Sequence, residues 1–331
     1  MPADTSPGFL RRSQVRPATQ ARYLASVLAF ATAMGVIADR WVSKDLPLVD
    51  TLLEEYFEQL YVDSGSKSAA RYTLAGLAYR FSVSLRAPDV FPKAKGALSG
   101  WGKLEPDVTS EPLSWAAACL MAQYLAGLNT EIGLQAARGL VVQFDTYLRP
   151  GELLDLRVPC CILPQPSAGS GYNKMGLVVG ASAFVMGDDV HTRVTKTGLQ
   201  DDTVLIDGHS RAGVASALVA LVKCANRARQ GRLMFLHTYA SYNRLLKKAA
   251  VAVGLPTKVT AHLPRHGGPS EDYLRGARSL ADIQTRGRWA SFRSVQRHQK
   301  SGRALASFRR LSAAVKAEAK RAEAKQLSFL A

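Results

Sequence analysis

Apolar residues recur at helical intervals along most of this chain, and the places where the interval fails mark its divisions. Leu24, Val27, Leu28 and Ala31 form one stripe and predict a helix from Thr19. Leu53, Tyr56, Phe57 and Leu60 predict a second, from about Asp50 to the stop at "DSGS" (63–66), and Ala70, Leu74, Leu77, Ala78 and Phe81 a third. The stretch "FPKAKGALSGWGKLEPDVTSEP" (91–112) scatters Gly, Pro and Lys with no period, which predicts a linker or domain boundary near 100–112. Helices are predicted again at about 112–128 and 131–147. Between Val158 and Asp207 the pattern changes, because "GLVVGASAFVMG" (176–187) and "TVLID" (203–207) are β-rich runs separated by polar turns. Helical spacing returns at 209–229, 238–253, 270–285 and 303–326. The sum is a mainly α fold with a small β insert: a basic arm over 1–18, a helical domain over 19–102, a linker over 103–112, a larger domain over 113–302 and a C-terminal helix over 303–331.

Composition narrows the partners. Of 331 residues, 43 are Lys or Arg against 26 Asp or Glu, a formal net charge of +17. An excess that large points to a polyanion, and no apolar run approaches the roughly 20 residues of a membrane span, so nucleic acid is the expected partner. The N-terminus lacks the apolar core of a secretory signal, so an intracellular location is expected, nuclear if the host is a eukaryote. Cys119, Cys160, Cys161 and Cys224 have no CxxC spacing and read as reduced thiols, and no cofactor is called for.

Four separated stretches could carry chemistry. In "TYLRPGELLDL" (146–156) Arg149 precedes a Pro-Gly turn, with Glu152 placed to hold its guanidinium. "HTRVTKTGLQDDTVLID" (191–207) reads as a hairpin with Lys196 at or near its turn. "HLPRHGGPSEDYL" (262–274) sets His262 and Arg265 three apart, ahead of a helix that Pro269 is expected to start. The fourth is "GRWASFRSVQRHQKSGR" (287–303), with Trp289. Taken singly, each has an ordinary explanation as a surface turn, an edge residue or a packing residue. His262 and His266 are four apart, but Pro264 and the missing Glu argue against a zinc site.

In order and spacing, Arg149, Lys196, the HxxR at 262–265 and the GRW at 287–289 resemble the catalytic domain of the tyrosine recombinases, the phage-integrase-like family, in a form similar to a eukaryotic mobile-element branch. The gaps are 47, 66 and 24 residues, then 9 to the nucleophile position. The resemblance covers most of the chain, since the first helical domain is similar to the family's core-binding domain. It implies that Arg149 and Arg265 neutralise a DNA phosphate with bidentate forks and that Glu152 orients Arg149. It implies also that Lys196 protonates the leaving 5′ oxygen while His262 and the Trp289 indole donate to the phosphate. The attacking hydroxyl of the family belongs to a tyrosine.

This chain has His298 at that position, and its last tyrosine is Tyr273. His and Tyr codons differ by one base, so the sequence reads as a recombinase copy that keeps its DNA surface and loses cleavage, a pseudoenzyme. An active recombinase or integrase is the alternative, using His298 or a nucleophile from a partner chain. A third reading, a non-catalytic basic regulatory protein, predicts that the motif residues lie scattered in the fold. Phosphate contacts survive loss of the nucleophile. The candidates are Arg11, Arg12 and Arg16 in the arm, Lys93, Lys95 and Lys103 in the linker region, and Arg286, Arg288, Arg293 and Arg297 around the site. The tail, ending in apolar "LSFLA" (327–331), is expected to dock on a neighbouring protomer of a DNA-bound homo-oligomer.

Overall fold

The computed structural model describes residues 15, 17–37, 40–41, 45–106, 111–170, 174–179, 202–206, 211, 213–256 and 258–330. Lys196, Arg11, Arg12 and Arg16 lie outside them. The chain divides into two units, Met1–Thr109 and Ser110–Ala331.

The described helices of the first unit are α1 (Pro17–Ala33), α2 (Leu46–Val62), α3 (Lys67–Phe81) and α4 (Pro92–Leu104). Their core joins Phe30, Val49, Leu53, Phe57, Leu77 and Phe91. Helix α1 keeps Val27 and Ala31 on its buried face, but Leu24 and Leu28 are 61% and 54% exposed, and Phe30 is buried instead. The stripe is therefore rotated towards the aromatic residue, which removes more apolar surface from water than either leucine. Helix α2 starts four residues earlier than its apolar stripe suggests, with Pro47 in the first turn.

Helix α4 occupies the front of the 91–112 stretch, where no helical period is visible. Its missing N-terminal signal comes from another helix: the buried carboxylate of Asp50, on α2, accepts the backbone N–H groups of Lys93 and Ala94, each at 3.0 Å. That bond pair satisfies two of the donors a helix start leaves orphaned, and Trp101 then buries itself on the other end.

The second unit holds α5 (Trp115–Ala126), α6 (Glu131–Thr146), α7 (Pro150–Asp155), β1 (Cys161–Ile162), β2 (Met175–Val179), β3 (Asp202–Ile206), α8 (Val214–Arg227) and α9 (Tyr239–Ala252). It continues with α10 (Leu263–Leu274), α11 (Leu280–Gly287), α12 (Phe292–His298), α13 (Ser301–Arg309) and α14 (Ala313–Ala324). Helix α6 is its axis. It is capped by Thr130, whose hydroxyl accepts the Gly133 N–H at 3.2 Å, and is buried along most of its length. The three strands pair antiparallel in the order β1-β2-β3, with Met175 opposite Ile206 and Val179 opposite Asp202. The four cysteines are unpaired thiols. No helix among the described residues is long and apolar enough to cross a membrane.

Two predicted helices are each a pair. The span 270–285 divides into α10 and α11, and Pro269 lies inside α10 rather than starting it; Pro264 occupies the first turn. The tail divides at 310–312, where Ser312 caps α14 by accepting the Val315 N–H. Within the chain the tail packs on its own unit. Helix α14 packs on α5 of its own unit, Leu327 and Leu330 are buried there, and Arg138 Nε donates to the Leu330 carbonyl at 3.0 Å. The two leucines contribute about 1.5–3 kcal/mol each to keeping the tail in place.

Candidate functional site

Arg149 is the N-cap of α7 and is held by its own helix. Glu152, at the third helical position, accepts the Arg149 backbone N–H at 2.7 Å with Oε2 and its Nη1 with Oε1. The same carboxylate receives Arg288 Nη2 at 2.7 Å and faces Arg265 Nη1 at 3.7 Å. Among the described residues, three guanidinium groups thus meet on one carboxylate, an excess of two positive charges. Burial raises the Glu152 pKa, but Arg288, Arg265 and Arg149 outweigh it and hold the carboxyl below its usual range. Burial, then repulsion from Arg149 and Arg288 that Glu152 only partly offsets, pushes Arg265 down to about 9. A guanidinium stays protonated at neutral pH, and the part of this depression that comes from Arg149 and Arg288 is what a bound anion would offset.

Arg265 is 2% exposed and points from the first turn of α10. Its Nη1 donates to the Tyr147 carbonyl, its Nη2 to the Gly287 carbonyl at 2.9 Å, and its fork lies 5.0 Å from the Trp289 ring centre. The glycines around it are there for clearance. A Cβ on Gly268 would lie 2.1 Å from the Phe144 carbonyl oxygen, and one on Gly287 would lie 2.1 Å from the Trp289 ring. Trp289 is 6% exposed and packs with Tyr147, Ile283 and Val295.

His298 closes the far side. Its ring sits between Trp289 and His266, with centroids 4.6 Å from each, and is nearly parallel to His266. Nδ1 lies 2.8 Å from the Ser294 carbonyl. A carbonyl only accepts, so Nδ1 carries the proton and Nε2 the lone pair. Burial is the main reason that the imidazole falls to about 4; the Ser294 bond opposes this, and Arg265, Lys300 and Arg149 add to it. His266 is pushed down to about 3 by burial and by His298, and its Nδ1 is buried without a partner. Both rings are neutral at pH 7.

The structure brings Arg149, Glu152, Arg265, Trp289 and His298 to one place, and adds Arg288. His262 is exposed at the N-cap of α10, its ring 6.4 Å from that of Tyr239. Arg286, expected on the DNA surface, is corrected. Its fork is buried and donates to Asp145 Oδ2 at 2.6 Å, to the Asp145 carbonyl at 2.8 Å and to the Leu205 carbonyl at 2.6 Å. Arg288 is also buried, inside the cluster rather than on the surface. Arg293, Arg297, Lys93 and Lys103 are exposed, and Lys95 is half-buried with Nζ 2.6 Å from the Ala87 carbonyl. Tyr273 is 45% exposed. Among the described residues no group of three His, Cys, Asp or Glu could hold a metal.

Sequence reasoning missed the network beneath the site. Arg211 spans Asp145, at 2.9 Å, and Asp272; Tyr147 donates its hydroxyl to Asp272; Arg278 reaches the same carboxylate at 2.9 Å. Burial opposes a charged Arg211, yet Asp272 and Asp145 raise its pKa. These partners are far apart in sequence, so no local pattern could have announced them.

No family model matches the sequence, and no curated protein matches it. Solved structures do. Over 88% of this chain and 92% of the other, it is similar to a lambda integrase(75-356) dimer bound to a COC′ core site, with a TM-score of 0.56 at 15% identity. The fold is that of the tyrosine recombinases. XerH site-specific recombinase bound to palindromic difH substrate is similar over 85% of this chain and 75% of its own, with a TM-score of 0.51 at 13% identity. At such identities the likeness establishes the recombinase fold, and the chemistry rests on the side chains above.

Proposed function

We propose that this chain binds double-stranded DNA through a recombinase-type phosphodiester site whose covalent strand transfer is impaired. One observation carries the reading: Arg149, Arg265 and Arg288 converge on the single carboxylate of Glu152, so among the described residues the cluster is short of two negative charges in a largely dry setting. A phosphodiester supplies one of them and matches the fork of a guanidinium. In this reading Arg149, one-quarter exposed, and Arg265 take the non-bridging oxygens, Trp289 and His262 donate to the phosphate, and Lys196 serves the leaving oxygen. The first unit acts as a core-binding domain, with Lys93, Lys95 and Lys103, alongside Arg293 and Arg297 of the second, on the DNA backbone. Assembly of several copies on DNA belongs to the same reading, by likeness to the DNA-bound lambda integrase dimer.

Transfer is impaired because His298 stands at the nucleophile position. An imidazole is shorter than a phenol and is pinned here by Ser294, Trp289 and His266, whereas in-line attack tolerates errors of only about 1 Å. The test is a nicked suicide substrate, built on sequences selected for binding, given to this protein and to His298→Tyr. The expected result is a covalent adduct with the tyrosine variant alone. An adduct with the unaltered chain would overturn the impairment, and no DNA binding by either would overturn the reading as a whole.

A further inference from the structure

The substitution at 298 changes the chemistry available at the cluster. Because the one N–H of the neutral imidazole is on Nδ1, Nε2 carries a lone pair, and no hydrogen bond to it is seen among the described residues. His298 is half-buried rather than sealed in the core. Its charged neighbours are all cations, Arg265 on α10, Arg149 at the start of α7 and Lys300 just beyond α12, while the rings of Trp289 and His266 that pack on it are neutral. The ring cannot swing, being clamped between two others and bonded to its own helix. Its Nε2 stops short of the point a phenol oxygen would reach. A phosphate placed to receive a tyrosine would therefore lie out of direct bonding reach of Nε2, and a water would have to bridge the two.

We propose that His298 is a general base that activates this water, so that the cluster hydrolyses a DNA phosphodiester instead of transferring it to the protein. This rests on the reading that a phosphodiester occupies the arginine cluster with its 5′ oxygen as leaving group. The water oxygen forms a bond to phosphorus while its proton passes to Nε2, and the bond from phosphorus to the 5′ oxygen breaks. The imidazolium loses its proton to solvent and the 5′ oxygen gains one. The products are a 3′-phosphate and a 5′-hydroxyl, with one water consumed and no covalent intermediate. The depressed basicity of the empty site is partly restored when the phosphodiester arrives, since a negative charge offsets the arginines that disfavour imidazolium.

The experiment is nicking of a supercoiled plasmid, with binding measured in the same samples by gel shift. It uses the full chain, His298→Ala and His298→Gln, in ordinary and in ¹⁸O water. The expected result is slow nicking that leaves 3′-phosphate ends carrying ¹⁸O. It should fall about 100-fold or more in both variants, the usual contribution of a general base, while plasmid binding changes less than about threefold. The rate should climb with pH across the acid range and level off by neutrality. Bound but intact plasmid, nicking that survives in both variants, or a phosphoramidate on His298 would each overturn the proposal and leave the DNA-binding reading standing. Absence of binding by the unaltered chain would remove both.

Discussion

Two arginine clusters lie within one unit of this protein and are built on opposite principles. Around Asp145 and Asp272, all four carboxylate oxygens are occupied, by Arg211, Arg286, Arg278 and the Tyr147 hydroxyl, and the participants are nearly all buried. Around Glu152, one carboxylate serves three guanidinium groups and Arg149 stays one-quarter exposed. The first cluster is saturated from within the chain and holds two backbone points, Tyr147 and the 286–288 turn, whose carbonyls receive Arg265. The second is left unsaturated. A saturated charge network fixes geometry, and an unsaturated one on top of it has something left to bind.

The sharpest way to break this contrast is to remove one member from each cluster. Asp272→Ala takes the shared carboxylate from Arg211, Arg278 and Tyr147 at once and leaves buried Arg211 with Asp145 alone, so it should cost about 3–5 kcal/mol of stability, read as the urea midpoint of the second unit. Arg149→Ala leaves Glu152 with two arginines and should cost under about 1 kcal/mol. If the two variants lose equal stability, the clusters do not differ in kind.

The histidine pair gives the contrast a pH dependence. Free imidazoles protonate near 6.5, whereas His298 and His266 in the fold do so only at about 4 and about 3. As pH falls below about 6.5 the unfolded chain takes protons that the folded one refuses, so stability is lost progressively down to about pH 4. The loss is on the order of 3 kcal/mol for the pair, after discounting His298 for its partial contact with solvent. Glu152 acts further down, since its depressed carboxyl adds stability above the ordinary carboxylate range that disappears in stronger acid. Urea midpoints from pH 7 to 4 should flatten in a His266→Leu, His298→Gln double variant; an unchanged slope would show that neither ring is held neutral. Inorganic phosphate should shrink the acid loss in the unaltered chain by offsetting Arg149 and Arg265.

What could be read from the sequence follows from how local each cause is. Helices α3, α5, α6 and α9 announce themselves because their apolar residues recur within one helix, and the pairing of Arg149 with Glu152 is legible for the same reason. Helix α4 is hidden because its cap, Asp50, lies more than forty residues earlier on another helix. Arg286 looks like a DNA contact for a similar reason. Nothing near it in sequence hints at Asp145, which lies 141 positions away. The motif residues Arg265 and Trp289 could be placed by their spacing, while Arg288 and His266 acquire meaning only when the turn at 287–289 folds over α10.

Affinity separates the clusters again, with smaller effects. Arg149→Ala should weaken DNA binding about tenfold to one-hundredfold, the equivalent of one or two charge-assisted hydrogen bonds, at little cost in stability. The exposed residues act differently. Arg293 and Arg297 lie on the solvent side of α12, outside both networks, so each can contribute only through the phosphate backbone. Replacing either by alanine should leave stability within about 0.5 kcal/mol and reduce the slope of log affinity against log salt by about 0.9. The logic is one of counterions: a surface arginine that neutralises one phosphate releases about one cation, whichever sequence is bound. A salt slope unchanged in both variants would take α12 off the DNA path, and would confine the polyanion to the arginines that meet on Glu152.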